Sequence, residues 1–321
     1  MLMRKSRESA RNLALSKEFT KKGKIPYHKD IAKHWQLYLM SAPYMIGFFI
    51  FTVLPIITAV VLSFFYYNML ETPTFIGFNN YFNLIVADTV FLKSIKNTLI
   101  FAIITGPLSY FLCLIIAWFI NELPRYLRVL MTLVFYAPSL SSSVYFIWQY
   151  LFSGDSYGFI NGILTKMGII YEPIQWLSDE KYTLAVVMIV QVWMSLGTSF
   201  LSFIAGFQGI DKSLYEAGDV DGIKNRYQEF FYITFPLLKP QLLFSAVMQI
   251  VSSFSVSAVS QSLCGLPSTN YSAHTIVLHI TDYGNIRYEM GYACAISVIL
   301  FLIMLGARKL IDILLSYVSD T

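Results

Sequence analysis

The 321 residues are 56% apolar and only 13% charged, with 26 Phe and 22 Tyr, and the mean hydropathy is +0.59. A soluble domain carries about 25% charged residues, so this composition excludes a soluble enzyme, a disordered chain and a collagen-like fibre. The net charge is +4, and the three cysteines, Cys113, Cys264 and Cys294, have no paired spacing, so they define neither a disulfide framework nor a metal site.

Ten Lys or Arg precede Gln36. This stretch, 1–36, is too long for the charged end of a cleaved signal peptide. It reads as a basic cytoplasmic arm, either a structureless tail or a helix that meets the interface or a partner. Six apolar runs follow, at 37–67, 97–120, 127–152, 183–208, 237–261 and 290–315. Each is long enough to cross roughly 30 Å of hydrocarbon as a helix. The predicted fold class is therefore all-α: a polytopic membrane protein with six transmembrane helices over 37–315 and a short tail at 316–321. Of the 23 Lys and Arg, 18 fall in the arm and in alternate connections, and five (Lys93, Lys96, Lys166, Lys181 and Arg287) fall in the others. Positive charge marks the cytoplasmic side, which predicts both termini inside and the loops 68–96, 153–182 and 262–289 outside.

Pro43, Pro55, Gly106, Pro107 and Pro138 interrupt the first three spans. Membrane helices tolerate such residues where neighbours satisfy the freed carbonyls. The polar residues of the third to fifth spans are all neutral: Ser139, Ser141 to Ser143, Tyr145, Trp148 and Gln149, then Gln191, Trp193 and Ser199, then Gln249, Ser252 and Ser253. No Asp, Glu, Lys, Arg or His sits mid-span among them, which argues against a proton relay or an ion-coupled pump. Two readings stay open. Tyr145, Trp148, Gln191, Trp193, Gln249 and Ser253 form a path for a hydroxyl-rich solute, or they are small residues and interface aromatics that let helices pack.

Between the fourth and fifth spans lies a loop unlike the rest, Gly209 to Pro240. Ser213 is the expected N-cap of a short helix, with Glu216 at capping-box spacing. Gly222 is expected at positive φ, breaking the helix, and Pro236 and Pro240 mark the entry to the fifth span. In the last connection, His274 and His279 stand without a Cys or carboxylate at motif spacing and read as isolated loop histidines.

Glu216-Ala217-Gly218, then Gly222, Ile233 and Pro236, resembles the EAA loop of permease subunits in bacterial binding-protein-dependent ABC importers. The wording Leu214-Tyr215-Glu216-Ala217, Asp221-Gly222 and Tyr232 to Pro240 is similar to the carbohydrate branch, which includes maltose, glycerol-phosphate and polysaccharide permeases. Phe75 to Tyr81 and Lys96 to Leu99 are weaker matches. By length, the permeases of alginate and other oligosaccharide importers look closest. Three departures stand out: Gly218 replaces an Ala, a change expected to loosen the helix by about 1 kcal/mol; ten residues separate Gly222 from Ile233 where the family usually has nine; and two additional amino-terminal spans of the larger maltose permease subunit are missing.

The resemblance implies a type I importer permease fold and an energy supply in trans. No Gly-rich loop ending in Gly-Lys-Ser or Gly-Lys-Thr occurs, so the usual phosphate cradle is missing from this chain. ATP and Mg are then expected on two cytoplasmic ATPase subunits, with Glu216 meeting a basic residue in the ATPase groove and Asp221 and Gly222 fixing the turn that transmits movement. Further implied partners are a second homologous permease, an extracytoplasmic solute-binding protein, a carbohydrate and membrane lipid, with no nucleic acid. The implied location is the bacterial cytoplasmic membrane. The rival function is an ATP-independent secondary transporter or channel for a polar solute, which predicts internal symmetry or membrane-depth charges. A membrane-embedded enzyme is a third class, and no reactive constellation for it stands in the sequence.

Overall fold

The computed structural model describes residues 35–141 and 144–319. The basic arm up to residue 34, Ser142, Ser143 and the last two residues lie outside the described part. The described residues divide into two units, with the boundary between 58 and 59. Helix α1, Trp35–Leu62, begins in the first, and no residue of its most apolar stretch is buried. It widens into a π-turn at Phe49–Val53, two residues before Pro55. A proline inside a helix lacks its N–H and crowds the carbonyl four residues back, and the wider turn makes room for that carbonyl.

The second unit starts with a two-stranded antiparallel ribbon, β1 (Phe65–Tyr66) and β2 (Thr74–Phe75), followed by α2 (Asn79–Val86). Helix α3, Thr89–Asn121, runs unbroken for 33 residues, with the Asp88 side chain accepting from Phe91 N at 2.8 Å as its N-cap. The second span thus begins eight residues before its apolar run, because Lys93 and Lys96 belong to its opening turns. The third is a bent pair: α4 (Arg125–Tyr136) ends in a 3-10 turn around Pro138, and α5 (Val144–Leu151) leaves at 84°. Helix α6 is Phe159–Lys166. The fourth span is α7 (Glu180–Met194) and α8 (Thr198–Gln208), parted at Ser195 to Gly197. After α9 (Lys212–Val220) and α10 (Arg226–Glu229), the fifth is α11 (Lys239–Phe254) and α12 (Ala258–Cys264), parted at Ser255 to Ser257. Helix α13 (Ile276–Thr281) precedes α14, Met290–Ser319. Among the described residues, five stretches are long and apolar enough to cross a membrane, and the bent pair makes six.

The core consists of three apolar clusters, and α3 contributes to each. Cys113, Leu114 and Ala117 pack with Phe200, Phe203 and Phe207 of α8 and Leu242 of α11. Phe91 and Ala102 join Ile250, Ile276 and Ile296, and Phe101 joins Val186, Val190 and Val259. The buried positions of α3 recur every three or four residues, the spacing of one helix face. At the start of α14, Gly291 N donates to Tyr67 O at 3.1 Å. A Cβ there would lie 2.1 Å from the Phe65 carbonyl oxygen, so only glycine lets the ribbon sit so close.

Candidate functional site: the 209–240 loop

The loop folds as a tight helical hairpin whose joints are built from local hydrogen bonds. Asp211, not Ser213, caps α9: its carboxylate accepts from Ser213 N at 3.1 Å. Ser213 is therefore the second helical residue, and Glu216 lies beyond capping-box reach. An Asp is as good an N-cap as a Ser, and its negative charge also favours the positive end of the helix. At the other end Gly222 has φ +95. Gly222 N donates to Asp219 O and Ile223 N to Gly218 O, at 3.3 and 2.9 Å, the paired bonds of a Schellman cap. Asn225 then caps α10 by accepting from Gln228 N at 2.9 Å, while Gln228 Oε1 accepts from Lys224 N at 2.9 Å. Asn225 and Gln228 stand at capping-box spacing in the sequence, but Gln228 reaches one residue past the cap, to Lys224 N.

Close contact joins the two arms. The hydroxyls of Tyr215 and Thr234 are 2.9 Å apart. Gly218 is buried, and a Cβ on it would lie 2.7 Å from Ile233 Cδ1. The glycine in the third triplet position thus provides room for Ile233, beyond any loosening of the helix. Ile233 itself lies in a π-turn, Phe230–Thr234, again two residues before a proline, Pro236. A π-turn holds one more residue per hydrogen-bonded ring than an α-turn, and through it Ile233, separated from Gly222 by ten residues, reaches Gly218.

Helix α9 presents two distinct outer faces. Leu214, Ala217 and Val220 are exposed, Leu214 at 43% and Val220 at 89%, forming an apolar stripe at i, i+3 and i+6. Glu216 and Asp219 instead line a cleft of about 540 Å³ with Trp118, Glu122, Arg226 and Glu229. Within it, Arg226 meets Glu229 at 2.7 Å and Glu122 at 3.5 Å, and the ring centroids of Trp118 and Phe230 are 4.8 Å apart.

The residues expected along a solute path fall into separate settings. Trp148 and Trp193 meet edge to face at 5.2 Å, Tyr145 packs in the same cluster, and the buried Trp148 Nε1 has no hydrogen-bond partner among the described residues. Gln149 Nε2 donates to Ser262 O. Gln249 turns instead to α3, its Nε2 3.5 Å from Cys113 Sγ, and Ser253 lies against Gly106. Gln191 is buried. It stands two residues before Trp193, and such residues project about 200° apart on a helix, so one surface cannot hold both.

His274 and His279 are not isolated. Both are buried, with His274 Nε2 3.2 Å from His279 Nδ1 and His279 Nε2 3.0 Å from Asp88 Oδ2. The hydroxyls of Tyr292 and Tyr283 donate to that same oxygen at 3.0 and 3.4 Å. The carboxylate comes from the cap of α3, nearly two hundred residues away, so no local motif announces it. Burial would raise the Asp88 pKa, but the hydrogen bonds from His279 and Phe91 N, with the His279 charge, hold it at about 2. Burial, with His279 beside it, lowers His274 to about 4. Among the described residues no group of His, Cys, Asp and Glu could hold a metal ion.

Residues 109–319 match the family model described as binding-protein-dependent transport system inner membrane component. The chain is 32% identical to the probable ABC transporter permease protein YesP of Bacillus subtilis, over 83% of this chain and 86% of the relative. It is 30% identical to the arabinooligosaccharides transport system permease protein AraP of the same organism, over 84% of each. Among solved structures it is similar to a chain of a bacterial alginate ABC transporter in complex with an alginate pentasaccharide-bound periplasmic protein. That similarity has a TM-score of 0.66 and 25% identity, over 87% of this chain and 94% of the other. The match covers the broken spans, the 209–240 hairpin and the long last helix together, and this chain belongs to the family of inner-membrane permease components of binding-protein-dependent ABC transport systems.

Proposed function

We propose that this chain is a permease subunit of an ATP-driven importer that moves an oligosaccharide, delivered by an extracytoplasmic solute-binding protein, across the bacterial cytoplasmic membrane. The observation that carries this reading is the 209–240 hairpin, a surface element with an apolar stripe on one face of α9 and carboxylates on another. Such a stripe on a charged surface is the mark of a protein contact. In this reading Leu214, Ala217 and Val220 lie against an ATPase subunit and Glu216 meets one of its basic residues. Tyr215 and Gly218 hold the second arm, and Asp221 with Gly222 fixes the turn.

In this reading the termini and the hairpin are cytoplasmic, which the distribution of positive charge supports. ATP and Mg belong to two partner ATPase subunits, and a second homologous permease completes the pathway. The relatives named for arabinooligosaccharides and alginate support a saccharide as the solute. The Trp148–Trp193 pair, with Tyr145, is the stacking surface for its apolar ring faces. The test is ATP-dependent uptake by vesicles holding the assembled complex and its binding protein. Labelled arabino-oligosaccharides and uronate oligomers are offered in parallel, and uptake of one class is expected only with ATP inside. Uptake without ATP indicates the rival, a secondary transporter or channel, and contradicts the proposal.

A further inference from the structure

Three helical segments meet the hairpin: α8, which leads into it, α11, which leaves it, and α3, which packs beside it. The first two belong to spans that break partway, at Ser195 to Gly197 and at Ser255 to Ser257. Helix α3 does not break, and its 33 residues extend about 50 Å at 1.5 Å per residue. At its C-terminal end the Trp118 ring lies 4.8 Å from Phe230 and 5.8 Å from Tyr227, both in the second arm of the hairpin. Glu122, the C-cap of α3, faces Arg226 of the same arm at 3.5 Å.

The N-terminal end of α3 holds a different segment, 268–281. Lys93 Nζ donates to Asn270 O at 2.6 Å and pairs with Glu180 at 2.8 Å. Asn97 Nδ2 donates to the Tyr271 and His274 carbonyls at 3.0 and 3.1 Å, and Ile276 N donates to Thr98 Oγ1 at 2.9 Å. Asn270 and Tyr271 have φ of +48 and +55. Two successive non-glycine residues in that region are strained and persist only where their surroundings hold them. Here Lys93 and Asn97 grip the carbonyls of those two residues, so the segment's shape depends on the opening turns of α3.

We propose that α3 is a transmission rod: displacement of the 209–240 hairpin moves its C-terminal end through Trp118, and its N-terminal end reshapes the outer segment 268–281 through Lys93 and Asn97. Trp118, Lys93 and Asn97 are positioning residues that touch neither solute nor nucleotide. The inference rests on the hairpin being the ATPase-coupling element, and it adds a route by which the far side of the membrane reports the nucleotide state.

A single cysteine replaces Thr269, which is exposed, in a chain whose three native cysteines are changed to Ala. The complex with its ATPase subunits is placed in nanodiscs and labelled with a maleimide, with and without ATP and vanadate. Trapping nucleotide is expected to change the labelling rate about fivefold or more, the lower range of ordinary allosteric coupling. Trp118→Ala and Lys93→Met should each bring that ratio to near one per molecule of trapped nucleotide, and Trp118→Phe should restore it. The rod is contradicted if the starting complex traps nucleotide without any change at Thr269, or if both variants keep the full ratio. A complex that traps no nucleotide at all overturns the coupling reading itself, and this inference with it.

Discussion

At Gly222 the backbone stands at φ +95, and a Cβ there would meet nothing within 4 Å. The cost of a side chain is thus purely conformational, about 1 to 3 kcal/mol, and greatest for a β-branched residue. Gly222→Val should loosen the hairpin, so that amide exchange over 212–234 quickens about tenfold or more, while the spans keep their protection. Gly218→Ala sets two terms against each other. Alanine improves helix propensity by about 1 kcal/mol, but the new methyl meets Ile233 Cδ1, the far end of a side chain that can turn aside. The expected change in thermal stability is within about 1 kcal/mol of zero.

The buried Asp88–His279–His274 chain responds to acid. His274 has its folded pKa lowered from 6.5 to about 4, so the unfolded state takes up more protons between those values. Its contribution is whole above pH 6.5 and is lost as pH falls through 4. Asp88, lowered from 3.8 to about 2, adds a second loss below pH 3.8. The melting temperature of the purified protein should therefore drop between pH 6.5 and 4, and His274→Gln should flatten that drop. An unchanged slope in the variant would assign the acid sensitivity to other groups.

Among the elements, long apolar runs and the helix–glycine–helix loop were legible because their signals are local: hydropathy over about 20 residues, a positive-φ glycine, prolines at helix starts. What the sequence hid is pairwise and distant. Asp88 and His279 are far apart in the chain, and charges at Lys93 and Lys96 masked the opening turns of α3. The 84° bend of the third span shows only as Pro138 among serines. The solute-path residues were legible as polar, but not in the way they divide between the α5–α7 aromatic pair and the α3–α11 contact. That division predicts different phenotypes. Trp193→Ala removes half of an aromatic pair and should alter the transport rate or saccharide preference per assembled complex. Gln249→Ala leaves a gap against Cys113 and should lower the amount of folded protein, with transport per molecule retained. Measured uptake and assembled yield for both variants in vesicles distinguish these outcomes, and identical phenotypes would contradict the division.

For the whole molecule, the proposed topology has six crossings, with both termini and the hairpin on the cytoplasmic side. In that topology Ser156 and Ser213, both exposed, lie on opposite sides of the membrane. Cysteines placed there singly, in a chain without native cysteines, should label from outside at 156 and only after permeabilisation at 213. Equal labelling from outside would contradict the topology. Coupling of this chain to an ATPase through the hairpin is tested most directly by charge reversal at Glu216. In the complex purified with its ATPase subunits and reconstituted with binding protein, Glu216→Lys should leave the permease inserted in the membrane but abolish co-purification of the ATPase and uptake of saccharide. A variant complex that assembles, hydrolyses ATP and transports at the original rates would contradict the account.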